Sequence, residues 1–185
     1  MARVSQAQAQ ENRERVVRTA AHLFRERGVQ GVSVADLMGA AGLTHGGFYK
    51  QFASKEALVA EATSRAFADH GERLTGLDDE HAGDHDAARR DLVERYLSPE
   101  HRDDAGSGCP ATGLGPDLAR EDPSSPARQP YARGVEAFAR WMARENGDED
   151  LAAVATMVGA LLLARATAGT PISDRILAAA RQSLA

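Results

Sequence analysis

Apolar residues recur at helical spacing along almost the whole chain, and no segment alternates apolar with polar long enough to make a strand. That single property commits the chain to helices packed on helices. Between Gln10 and Arg27 the buried stripe is Val16, Val17, Ala20, Ala21, Leu23 and Phe24, and Gly28 supplies the left-handed residue that ends the helix. Alanine, 36 of 185 residues, costs least in a helix and lets helices approach closely. Both features predict an all-α protein of about nine helices.

Further along, Ser33 opens a second helix, with Asp36 at the capping-box position, and Gly42 closes it. Thr44 starts a third helix through Lys50, and Ser54 caps a longer fourth with Glu56 in its first turn. Residues 78–86 and 99–108 read as loops, flanking a helix over 87–97. Cys109-Pro110 begins a short helix to about Arg120, because proline suits the first helical position. An amphipathic helix then carries Tyr131, Val135, Phe138, Trp141 and Met142 to about Asn146-Gly147. Helices over 151–167 and 171–184 complete the chain. The apolar run 151–164 is too short to span a bilayer, and the N-terminus lacks a signal peptide's apolar core. A cytoplasmic protein is expected, without membrane contact.

Residues 33–52, SVADLMGAAGLTHGGFYKQF, set two short helices about a tight turn, the second too short and too polar to be core. This is the helix-turn-helix arrangement, whose second helix enters the major groove of DNA. Gly46 and Gly47 are poor helix formers, so their presence has one of two reasons: close approach of backbone to DNA, or crowding between helices. Charge is consistent with a reader. The chain nets −5, but residues 1–55 hold 8 basic against 4 acidic groups (+4) and the rest 14 against 23 (−9).

Residues 20–58, AAHLFRERGVQGVSVADLMGAAGLTHGGFYKQFASKEAL, resemble the DNA-binding signature of the TetR family of bacterial transcriptional regulators. The aromatic pair, the Phe four residues on and the Ser-Lys-Glu helix start occur together. The resemblance implies a helix-turn-helix domain over 1–54 and an effector-binding, dimerisation domain over 55–185. Tyr49, Lys50 and Lys55 would meet phosphates, and Ser33 would do so besides capping its helix. Thr44 and His45 would contact base edges or adjacent phosphates, with a plain cap and a solvated ring as the respective alternatives. Arg3 and Arg13 are weaker candidates for the minor groove or the DNA backbone. Phe48 would pack inward.

For the remainder, a single reader spans few base pairs, so two half-sites and a symmetric homodimer are expected. The last two helices offer Val154, Met157, Val158, Leu161, Leu162, Ile176, Leu177 and Ala180 as a four-helix interface, or as intrachain core. Family resemblance also implies a cavity for a small-molecule effector, with Phe67, His70, Leu92, Tyr96, Cys109, Leu114, Tyr131, Phe138, Trp141 and Leu161 as candidate lining. The function implied is repression at a palindromic double-stranded DNA operator, relieved by the effector. An alternative within the same fold makes Cys109 a redox or electrophile sensor, against its reading as a buried apolar residue.

One cysteine excludes an internal disulfide and a cysteine-rich zinc site. Asp79, His81, Asp84 and His85 read as an acidic, solvated segment more readily than as a metal site. No phosphate-binding glycine loop or HExxH motif is present, so neither catalysis nor a cofactor is expected.

Overall fold

The computed structural model describes residues 6–143 and 148–185. Among them the chain forms nine α-helices and one 3-10 segment, with no strand. The helices are α1 (Gln6–Arg27), α2 (Val34–Ala40), α3 (Lys55–Glu80), α4 (His85–Tyr96), α5 (Pro99–Asp103), α6 (Pro110–Arg120), α7 (Arg128–Trp141), α8 (Leu151–Ala166) and α9 (Pro171–Leu184). The 3-10 segment, His45–Lys50, stands where a third helix is predicted. Arg3 and the expected helix end at Asn146-Gly147 lie outside the described residues.

Two loops predicted from composition are largely helical. Residues 78–80 continue α3, because Leu77 keeps its last turn buried and Asp78 is held from α4 and α7. Only 81–84 turn the chain, with Ala82 and Gly83 in the left-handed region (φ 53° and 85°). Residues 99–103 form α5, capped when the Ser98 hydroxyl accepts from His101 N, with Pro99 in its first turn.

The N-terminal caps follow the sequence closely. At α2 the capping box is complete: Ser33 Oγ accepts from Asp36 N (3.1 Å), and the Asp36 carboxylate accepts from Ser33 N (3.1 Å). Gly28 ends α1 at φ 76°, and the next amide, Val29 N, donates to Asp117 Oδ2 on α6 (2.7 Å). A β-carbon at Gly28 would lie 3.0 Å from that carboxylate oxygen, so conformation and space both demand glycine.

Two apolar cores result. The first joins Val16, Ala20 and Phe24 of α1 to Leu37, Met38, Phe48 and Phe52, with Leu58 and Ala62 of α3 and Leu114 and Leu118 of α6. The second gathers Leu74, Tyr96, Phe138, Met142, Met157, Leu161 and Leu177 from α3, α4, α7, α8 and α9. The long α3 runs through both. Buried Arg89 draws the α7 C-terminus to the α8 N-terminus, donating to Met142 O (3.1 Å) and Asp150 (3.4 Å), while Asp150 itself caps α8.

Candidate nucleic-acid interface and inner cavity

Phe48 is fully buried, 5.4 Å from the Phe52 ring, and anchors the 3-10 segment to the first core. That anchoring turns the next side chain outward: Tyr49 is 68% exposed and rests edge-on against Phe48. Thr44, His45, Gly46 and Lys50 share the exposed surface. The Thr44 hydroxyl makes no cap bond, so its donor and acceptor are free for a partner. A β-carbon at Gly46 would meet nothing within 4 Å, and one at Gly47 only ordinary contacts at 3.5 Å. Crowding inside the chain therefore does not account for these glycines.

Three candidates already hold partners. Ser33 Oγ donates to Asp36 (2.6 Å) as part of its capping box. Lys55 Nζ donates to Val29 O (2.7 Å), closing the turn after α1 with one of its three donors. Arg13 forks onto Glu61 of α3 (2.5 and 2.6 Å) and lies over the Phe52 ring, which ties α1 to α3.

Deeper in the molecule a cavity of about 390 Å³ opens between α3, α4, α5 and the loop before α6. His70, Leu92, Tyr96 and Cys109 line it as expected. Arg73, Leu74, Leu77, Arg95 and His101 join them, unforeseen from sequence. The first three follow His70 at helical spacing along α3, a stripe legible in principle; His101 stands on a five-residue helix, too short to display an apolar period. The other candidates stand elsewhere. Leu114, Phe138 and Leu161 are sealed in the cores. Phe67 meets the Tyr131 ring edge-on at 5.6 Å. Tyr131 donates to Ala111 O and faces a separate groove between α6, α7 and α8. Trp141 donates to Asp78 and packs against His85.

Histidines furnish the polar part of the cavity. His101 Nδ1 donates to Tyr96 O (2.8 Å) and Nε2 accepts from Cys109 N (3.0 Å), an arrangement only the neutral ring permits. Burial pushes its pKa down to about 4. His70 packs edge-on against Phe138, its Nε2 buried without a partner; burial first, then the charge of Arg73, pushes its pKa down to about 3. The Tyr96 hydroxyl, bonded to Thr112, is pushed well above its ordinary range by burial and by the neighbouring Cys109.

The loop closing this cavity and the short helix before it are clamped from both sides. Arg165 of α8 donates to the carbonyls of His101 (2.9 Å) and Arg102 (3.0 Å). Arg25 of α1 donates to Gly106 O (2.8 Å). A β-carbon at Gly106 would strike the His22 ring at 2.3 Å, so a side chain of α1 lies directly against the loop backbone.

At the other end, five residues expected at a dimer face, Val154, Met157, Leu161, Leu177 and Ala180, are buried where α8 and α9 meet the second core. Val158 and Ile176 are half-buried and Leu162 is exposed. Leu151, Leu163 and Ile172 add exposed apolar surface beside them. His81 and His85 pair with Asp91 (2.8 Å) and Asp78 (2.9 Å) and fasten the α3–α4 turn.

A short exposed reader on a three-helix head, continued into a helical body with a cavity, defines a helix-turn-helix transcriptional regulator. Comparison with known proteins gives the family. Residues 16–62 match the model of bacterial regulatory proteins of the tetR family. The Escherichia coli transcriptional repressor NemR is 30% identical over 142 residues, covering 76% of this chain and 70% of NemR. A Mycobacterium tuberculosis helix-turn-helix regulator is 29% identical over 167 residues, 83% of this chain and 84% of its own. The chain belongs to the TetR family. Among solved structures, reduced E. coli NemR superposes with a TM-score of 0.76 at 23% identity, covering 94% of this chain and 95% of that one, a likeness of fold. A TetR regulator from Chloroflexus aurantiacus gives 0.65 at 28% identity over 97% and 94% of the two chains. No helix among the described residues is long and apolar enough to cross a membrane.

Proposed function

We propose that this regulator is a cytoplasmic repressor that binds a palindromic operator as a homodimer and is released by a small molecule in the inner cavity. The observation that carries the reading is the bond from Arg25, on the head's first helix, to Gly106 in the cavity's closing loop. A ligand that displaces the loop meets α1 directly, and one that favours the displaced form shifts the dimer away from DNA.

Tyr49, Lys50, Thr44 and His45 form the DNA surface in this reading, and Ser33 and Lys55 hold the elements that present it. With DNA selected from random sequence, Tyr49→Phe and Lys50→Ala should each weaken binding roughly a hundredfold, the loss of one charge-assisted contact in each of two subunits. Lys50→Ala should also lower the salt dependence by about one phosphate per subunit. Unchanged affinity and salt slope in both variants would remove the assigned surface.

A second reading rests on Cys109, which is buried in the second core at 2% exposure and also borders the cavity. Oxidation of its thiol would act on the same loop. Hydrogen peroxide should then abolish DNA binding of the native protein and spare Cys109→Ser; equal responses would exclude the sensor.

A further inference from the structure

The inner cavity carries positive charge that the chain itself leaves unanswered. Arg73 lines its solvent side with no ion-pair or hydrogen-bond partner among the described residues. Of the acids nearby, Glu80 pairs with Arg95 (2.9 Å) and Asp69 with Arg65 (2.7 Å), Asp104 accepts from Ser107 N (3.1 Å), and Glu72 lies outside the cavity lining. Behind the wall, Arg25 keeps one buried guanidinium nitrogen unbonded. His70, only 5% exposed, lines the same cavity with its own unpartnered nitrogen. Beside these groups the lining is apolar, formed by Leu74 and Leu77 of α3 and Leu92 of α4.

We propose that the cavity takes an amphipathic carboxylate, its head between Arg73 and His70 and its body along Leu74, Leu77 and Leu92. This rests on the reading of the cavity as the effector site and names the chemistry of that effector. A neutral apolar guest would leave the buried nitrogen of His70 without a partner and cover part of the Arg73 charge while returning no hydrogen bond, a costly exchange. A cation would face Arg73 and Arg95 with its one available acid already paired. A carboxylate matches the planar fork of a guanidinium and accepts a further bond from a neutral imidazole. A dianion finds too few donors: one free guanidinium and one ring. At about 390 Å³ the cavity lies toward the small end of ligand sites, which suits a single medium-length chain.

The test is calorimetric titration of the full-length protein with three isosteres, sodium octanoate, 1-octanol and octylammonium chloride. Octanoate should bind at least tenfold tighter than octanol, and octylammonium weakest of all. Arg73→Gln, at an exposed position, should bring octanoate to the level of octanol and leave octanol unchanged. Equal affinity for acid and alcohol, preference for the amine, binding by none of the three, or a preference that survives Arg73→Gln would each overturn the proposal. Adding octanoate to the protein on selected DNA separates this from the function proposed above. Selective binding without release supports the ligand class and overturns effector-driven release.

Discussion

At Gly46 the fold asks for nothing: the backbone is not left-handed and the space beyond its α-carbon is empty. Replacing such a glycine narrows the unfolded ensemble and stabilises a protein by about 0.4–1 kcal/mol. Gly46→Ala should therefore leave the urea midpoint unchanged or raised. The added methyl stands where the 3-10 segment would meet DNA, so affinity for selected DNA should fall tenfold or more. Retained affinity would return Gly46 to an incidental role. The exposed reader was legible residue by residue because short-range pattern sets it: Phe48 and Phe52 are four apart and buried, which turns Tyr49 outward. The partners of Arg13 and Lys55 were not legible. Glu61 lies 48 residues from Arg13 and Val29 lies 26 from Lys55, so only the packed fold brings each pair together.

Among the elements, α5 is held by Arg165 and by one imidazole, which links the end of α4 to the start of α6. Protonation would take away the acceptor that holds Cys109 N. His101 stays neutral in the fold down to about pH 4 and His70 to about pH 3. The unfolded chain protonates them near 6.5, so below that value it binds more protons and stability falls as pH falls. By pH 5 each contributes a loss of roughly 2 kcal/mol. Urea midpoints should drop between pH 7 and pH 5, and His70→Phe should flatten about half of that slope. His85 has the opposite sign. Its hydrogen bond to Asp78 raises its pKa, so its contribution is full below about 6.5 and disappears as pH rises through the raised value. A profile flat from pH 7 to 5 would contradict the buried, neutral rings. Element positions were readable from caps and periodicity, as Ser33, Ser54 and Pro110 illustrate. α5 escaped because five residues cannot display an apolar period. The end of α3 escaped because an acidic run hid a turn anchored by the contacts of Asp78 with His85 and Trp141.

On the scale of the whole molecule, charge and shape both favour a pair of chains. Residues 33–55 carry only Lys50 and Lys55 against Asp36, a net +1, and residues 56–185 net −9. Bulk attraction to DNA is correspondingly weak, and useful affinity has to come from two heads held at matching half-sites. Periodicity showed that α8 is apolar on most sides but not which side the chain uses itself, since that depends on where α7 and α9 pack. The structure spends Val154, Met157 and Leu161 inward; it leaves Leu151 and Leu162 exposed on α8 and Ile172 exposed on α9, and Val158 and Leu162 border the groove with α6 and α7. With Leu162 42% and Ile172 48% exposed, a second copy is the partner this face suits in the proposed dimer. The double variant Leu162→Glu, Ile172→Glu alters surface and leaves both cores intact. It should keep its helical circular dichroism, sediment as a monomer, and bind selected DNA at least a hundredfold more weakly, with contacts confined to one half-site. A monomeric variant that still held the full operator tightly would show that the head's small charge suffices alone, and that the outer face of α8 and α9 serves some purpose other than pairing.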